Sequence, residues 1–188
     1  FHNSSAYKEY IADKCKIEED QVTGTLRLEY LTEDDSFGPK ARLEFDGNIY
    51  YVPSDKNDFL NNTIGYGKYI ITTLLTDMSY FFVNYTGAID WNEWDVSHWD
   101  TSEVTNMQSL FANMSTFNQD ISNWNTGNVE NMTSMFNGNN AFDKNIGNWD
   151  VSKCTKMRSM FREASVFNQD IGDWKVEKVE DMKEMFKD

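Results

Sequence analysis

Trp99, Trp124, Trp149 and Trp174 sit at intervals of 25, and the chain around them repeats with them. Met107, Met132, Met157 and Met182 keep the same interval, as do Phe111, Phe136, Phe161 and Phe186, and Ile121, Ile146 and Ile171. A fixed period in this range demands stacked copies of one supersecondary unit, each burying its apolar side against the next. It moves the functional expectation away from a single catalytic pocket and towards a presented surface.

The array begins before the first full copy. Leu75-Thr-Asp-Met78-Ser-Tyr-Phe81-Phe82 matches Val104-Thr-Asn-Met107-Gln-Ser-Leu110-Phe111 at a step of 29. The four extra residues show as a stutter, Trp94-Asp-Val-Ser97 followed at once by Trp99-Asp-Thr-Ser102. Residues 1–69 show no repeat. Ser4-Ser5 is placed to cap a short helix through Tyr7, Tyr10, Ile11 and Ala12. Thr25–Tyr30 and Ala41–Phe45 alternate as strands, and Asp46-Gly47 reads as a hairpin turn into Asn48–Val52. The division expected is a small α+β N-terminal cap over 1–69 and a repeat array over 70–188, its first copy degenerate and its last truncated. The stop inside a copy at Asp188 reads as a fragment of a longer protein.

Within one copy, Val104, Met107, Leu110, Phe111 and Met114 form one stripe of a helix, with Thr101 and Ser102 as candidate N-caps. Phe117, Ile121 and Trp124 lie on an extended segment. The fold class predicted is therefore α/β: a leucine-rich-repeat-like strand–helix solenoid of 25-residue coils behind the α+β cap.

Composition narrows the partners. The chain holds 17 Lys and Arg against 31 Asp and Glu, a formal charge of −14. Residues 1–69 carry 8 basic and 13 acidic groups (−5) and residues 70–188 carry 9 and 18 (−9), with no Lys or Arg between Lys68 and Lys144. A phosphate backbone needs clustered cations, so nucleic acid is not an expected partner, and neither is an anionic membrane surface. No apolar run is long enough to span a bilayer, so membrane insertion is not expected. The two cysteines and two histidines lack metal-ligand spacing, and no metal or other cofactor is predicted. Cys154 stands where other copies have Val104, Val129 and Val179, which predicts a buried free thiol rather than a bridge to Cys15.

Phe117-Asn-Gln-Asp-Ile-Ser-Asn-Trp124 and Phe167-Asn-Gln-Asp-Ile-Gly-Asp-Trp174, joined to Met-x-x-Met-Phe at Met132–Phe136 and Met157–Phe161, resemble the 25-residue repeats of the DUF285 family. That family occurs in mycoplasma lipoprotein-like proteins and in BspA-like leucine-rich-repeat surface proteins. The likeness covers residues 96–188 well and 70–95 weakly. It implies a cell-surface or secreted protein with an adhesion or host-interaction role, and it carries no catalytic residues.

The repeated apolar residues read as core. Asn118-Gln119-Asp120 and Asn168-Gln169-Asp170 read as turn-stabilising ladders, with Asp143-Lys144-Asn145 interrupting them. The stutter is where a specific site is expected. Tyr85, Trp91 and Trp94 lie off the array register with Asp90, Glu93 and Asp95 among them. Insertions in repeat arrays gather on one face, often the binding face. Aromatic rings flanked by carboxylates suit a sugar ring or a partner protein. The competing reading is that these rings only seal the junction. No catalytic triad, phosphate loop or metal triad occurs, so the chain is not expected to be an enzyme. The function expected is non-catalytic adhesion or ligand contact with a protein or glycan on another cell or host. The rivals are a structural stalk without a ligand and, more remotely, a secreted glycosidase-like enzyme.

Overall fold

The computed structural model of the chain describes residues 15–19, 26–30, 41–45, 48–52, 72, 75–83, 89, 91 and 94–188. In the first segment β1 (Cys15–Glu19) pairs antiparallel with β2 (Leu26–Tyr30), and β3 (Ala41–Phe45) with β4 (Asn48–Val52). β2, β3 and β4 stand where the alternation places them. Phe45 pairs with Asn48, so only Asp46 and Gly47 lie between the paired ends. The sequence pattern does not mark β1, whose Cys-Lys-Ile-Glu-Glu holds few apolar residues and gains its place opposite β2. The helix expected near Tyr7 lies outside the described residues.

From Leu75 onward the copies stack at the expected register. Parallel bridges run Asp77↔Asn106, Asn106↔Asn131, Asn131↔Lys156 and Lys156↔Asp181, one step of 29 and then steps of 25. The local structure differs from expectation. Among the described residues there is no helix, and the named strands are confined to the two hairpins. The array is not an α/β strand–helix solenoid.

Each copy is a succession of tight turns. Leu110 N donates to Met107 O (3.2 Å), Met114 N to Phe111 O (3.2 Å), Phe117 N to Met114 O (3.0 Å) and Trp124 N to Ile121 O (3.1 Å). Other amides of the same stretch leave the copy. Met107, Ser109 and Phe111 N–H reach Asn131, Thr133 and Met135 O, each at 2.9 Å, and Asn113 N–H reaches Asn137 O at 2.7 Å. Alternate amides thus close a local turn or bind the next copy. An α-helix would send every one of them four residues back.

The switch is made by residues of positive φ. Ser109, Ser134, Ser159 and Glu184 occupy one register position at φ 54, 56, 55 and 59°, and Asn113, Gly138 and Glu163 occupy another at 60, 68 and 55°. A left-handed residue ends any helical run, and for a residue other than Gly it costs about 1–2 kcal/mol. The bonds between copies offset that cost. Thr101, expected as an N-cap, instead donates its hydroxyl across the stack to Asn125 O at 2.9 Å.

The predicted core residues are buried except in the last copies, where Met182 and Phe186 are exposed and Ile171 is half-buried. Met107, Met132, Met157, Ile121, Ile146, Phe111 and Phe136 are fully enclosed. Phenylalanines stack along the array: Phe82 on Phe111 (5.7 Å between ring centroids), Phe111 on Phe136 (5.8 Å) and Phe136 on Phe161 (5.5 Å). A second column, Phe117, Phe142 and Phe167, lies against the first, with Phe117 3.8 Å from Phe111. Trp99 stacks on Trp124 at 6.1 Å and Trp149 on Trp174 at 6.5 Å. Each lower indole is also tied to the backbone one copy back. Trp124, Trp149 and Trp174 Nε1 donate to Val96, Ile121 and Ile146 O at 2.9, 3.1 and 3.1 Å. Cys154 is a buried free thiol, and burial pushes its pKa upward.

Candidate functional site

At the stutter the first copy lacks a phenylalanine. The residue 25 before Phe117 is Asn92, so the second aromatic column has no ring of its own there. Trp91, one position earlier, fills the gap edge-on. Its ring lies 4.8 Å from Phe117 at 66° and 5.5 Å from Phe82 at 77°. It stays half-buried, and its Nε1 donates to Thr116 Oγ1 at 3.2 Å. Trp94 is 9% exposed and meets Phe82 edge-on at 5.8 Å.

Gln119 holds this turn in place. Its Nε2 donates to Trp91 O (2.8 Å) and to Trp94 O, while its Oε1 accepts from Val96 N at 2.9 Å. The side chain thereby replaces bonds that the irregular backbone does not make within the stack. Gln119 stands one period after Trp94, a relation visible in the sequence once the register is extended into the stutter.

Asp95 Oδ1 accepts from Ser97 N at 3.0 Å and from Ser97 Oγ at 2.6 Å, and its Oδ2 lies 3.8 Å from His98 Nδ1. His98 above all, and then the Ser97 donors, hold the Asp95 carboxyl well below the usual carboxylate range against the opposing effect of burial. Asp95 is therefore an anion near neutral pH. The structure gathers Trp91, Trp94 and Asp95 within one irregular turn. Tyr85, Asp90 and Glu93 lie outside the described residues. The arrangement offers one half-buried indole, with the Asp95 carboxylate four residues on in the chain.

The polar repeats serve the turns. Asp120 Oδ1 accepts from Ser122 N (3.0 Å) and Asp170 Oδ1 from Gly172 N (2.9 Å). Asp143 continues the ladder that the sequence pattern reads as broken. Its N donates to Asn118 Oδ1 (3.1 Å), and its Oδ1 accepts from Asn168 N (2.9 Å). A carboxylate does here what an amide oxygen does one copy earlier. Among the described residues no group of three or more His, Cys, Asp or Glu is placed to hold a metal ion, and no helix is long and apolar enough to cross a membrane.

The model of a family described as a Mycoplasma protein of unknown function, DUF285, matches residues 76–188. The chain belongs to the DUF285 family. The match covers the stacked copies from the first bridge residue, Asp77, onward, so the turn ladder described above is the structure of this chain's DUF285 region. No curated protein matches the chain, and no solved structure matches it.

Proposed function

We propose that this chain is a non-catalytic binding module of a cell-surface or secreted protein, presenting a rigid stack of DUF285 copies for adhesion or ligand contact. The observation that carries the reading is the division of labour within a copy. Repeated apolar residues fill the core and repeated Asp and Asn residues close turns, while some outward register positions differ from copy to copy. One such position reads Glu103, Asn128, Lys153 and Lys178. A constant interior under a variable exterior suits a scaffold whose surface is adapted to partners.

The region around Trp91 is the part of that surface we assign to a neutral glycan or a basic protein segment. Trp91 supplies the stacking face and Trp94 supports the turn from inside; Tyr85, Asp90, Glu93 and Asp95 stand near Trp91 in the sequence and bring one hydroxyl and three carboxylates. The test is a glycan-array and host-protein screen of the full chain beside Trp91→Ala. The expected result is a ligand whose binding falls roughly ten-fold or more in the variant, the scale of a hot-spot aromatic. No capture by the intact chain, with a large drop in melting temperature for Trp91→Ala, would instead support the stalk reading, in which these rings only close the junction. The packing of Trp91 against Phe117 and Phe82 favours keeping that second reading in view.

A further inference from the structure

We propose that the strip of the array carrying Lys153, Lys156, Lys178 and Lys183 binds an acidic polysaccharide, a sugar chain bearing spaced carboxylate or sulfate groups. The inference rests on the reading of the array as a binding module, but it concerns a different site from Trp91.

The strip is the row of side chains on and beside the parallel bridges. In the copies of Asn106 and Asn131 it carries amides, hydroxyls and the carboxylates Glu103 and Glu130, and no cation. In the next two copies it carries Lys153, Lys156 and Arg158, then Lys178 and Lys183 together with Glu180 and the bridge residue Asp181. All four lysines are exposed. Two of these positions stack like charge on like, since Lys178 follows Lys153 by one period and Lys183 follows Arg158, while Lys156 is bridged to Asp181. Side chains one period apart do meet on this strip, because Lys153 Nζ donates to Asn128 Oδ1 at 2.6 Å. Like charges on directly adjacent strands disfavour the stack.

Arg158 pairs with Asp181 at 4.0 Å, but among the described residues no carboxylate lies that close to any of the four lysines. The chain holds 31 acidic groups against 17 basic ones, so carboxylates for pairing are plentiful. Lysines that gather on adjacent copies, without carboxylate partners and against their own repulsion, fit an anion brought from outside.

The surroundings select which anion. Glu177, Glu180 and Asp181 lie among the lysines, and the chain carries −14 overall. A duplex with one charge per about 1.7 Å would be repelled over most of its length. A chain with separated anionic groups can place each one at a lysine and keep neutral stretches over the acidic positions. Gln108, Asn128, Asn131 and Thr133 extend the strip with donors and acceptors of the kind sugar hydroxyls use.

The test uses the full chain with heparin oligosaccharides and alginate as probes, with dextran and duplex DNA as comparisons, in titrations at several salt concentrations. Binding to one of the acidic polysaccharides is expected, weakening as salt rises, with little binding to dextran or DNA. Lys153→Gln/Lys156→Gln/Lys178→Gln/Lys183→Gln should lose it by roughly ten-fold or more, as expected when several ionic contacts go. Lys144→Gln/Lys175→Gln, off the strip, should keep it. The strip variant should also melt no lower than the parent, because it removes like-charge pairs. A lower melting temperature would show that the lysines serve the stack and would overturn the proposal. Equal losses in both variants, or DNA bound as well as polysaccharide, would overturn it too. Failure of both acidic probes while the Trp91 screen yields a ligand would remove this site and leave the wider reading intact.

Discussion

Trp124, Trp149 and Trp174 each combine three roles that other side chains share out singly. Each ring fills the interior and stacks along the array, and each Nε1 closes a bond to the copy before it. Trp124 and Trp149 are each 4% exposed, and each donates from Nε1 to a buried carbonyl. Replacing either by Ala should cost about 3–5 kcal/mol, read as the loss in unfolding free energy by urea titration. A variant that unfolds at the parent's urea concentration would mean that the ring is not a packing element. Cys154 makes a milder test of the same interior. Its Sγ lies 3.4 Å from Lys156 O, and burial raises its pKa, so little thiolate exists near neutral pH. A polar thiol reagent should modify it slowly in the native protein and rapidly in denaturant, as followed by peptide mass mapping at that residue. Rapid native modification would show that the site is open. Both assignments were readable in advance, because inside and outside follow from register alone.

At the scale of the element, register was not enough. Apolar residues three apart mark one face of a helix, but they equally mark a succession of three-residue turns in which each apolar residue closes on the last. The feature that separates the two is the left-handed residue, which Asn113 and Gly138 signal at one register position and the sequence conceals at the other. Glycine or asparagine would have announced a positive φ there too, whereas that position holds Ser109, Ser134, Ser159 and Glu184. The hairpin of β3 and β4 was legible for the opposite reason, since Asp46-Gly47 is a turn signal with a local cause. Ser134→Gly decides between the turn and the helix by its sign. In a helix interior the change should destabilise the protein by about 0.5–1 kcal/mol. At a φ of 56° it should stabilise it by up to about 1–2 kcal/mol, by removing the left-handed penalty. Ser134→Val should do the reverse. Unfolding curves of the two variants beside the parent give the answer, and a Gly variant less stable than the parent would count against the turn ladder. The stutter was half legible in the same way. Its aromatic residues stood out by being off register, but the role of Gln119 appears only when the backbone gap it fills is seen.

For the whole molecule, the coordinate that matters is the chain length between one copy and the next. Amides of one copy meet carbonyls 24 residues ahead at 107→131, 109→133, 132→156 and 157→181, all within 2.8–2.9 Å. A single residue inserted within a copy breaks this count for every bond between it and its neighbour, and moves the apolar set out of line with the column it continues. At the stutter the count has already changed. Met78 N reaches Asn106 O, 28 residues ahead, at the same 2.8 Å as Met132 N reaching Lys156 O. The stack therefore accepts four extra residues between 83 and 94 without losing its ladder. Two insertions of one Gly should then differ sharply. After Asn128 the insertion should abolish cooperative unfolding or lower the melting temperature by more than ten degrees or so, since several bonds and aromatic contacts are lost together. Between residues 86 and 87 it should cost only a few degrees, because a longer connection adds little closure entropy. Differential scanning calorimetry of the two variants compares them directly. If both insertions cost the same, the constant spacing does not govern the stack, and stability resides in each copy alone. If only the first is severe, the 25-residue period is the physical unit of the fold, and the stutter is the one place in the array where extra chain is tolerated.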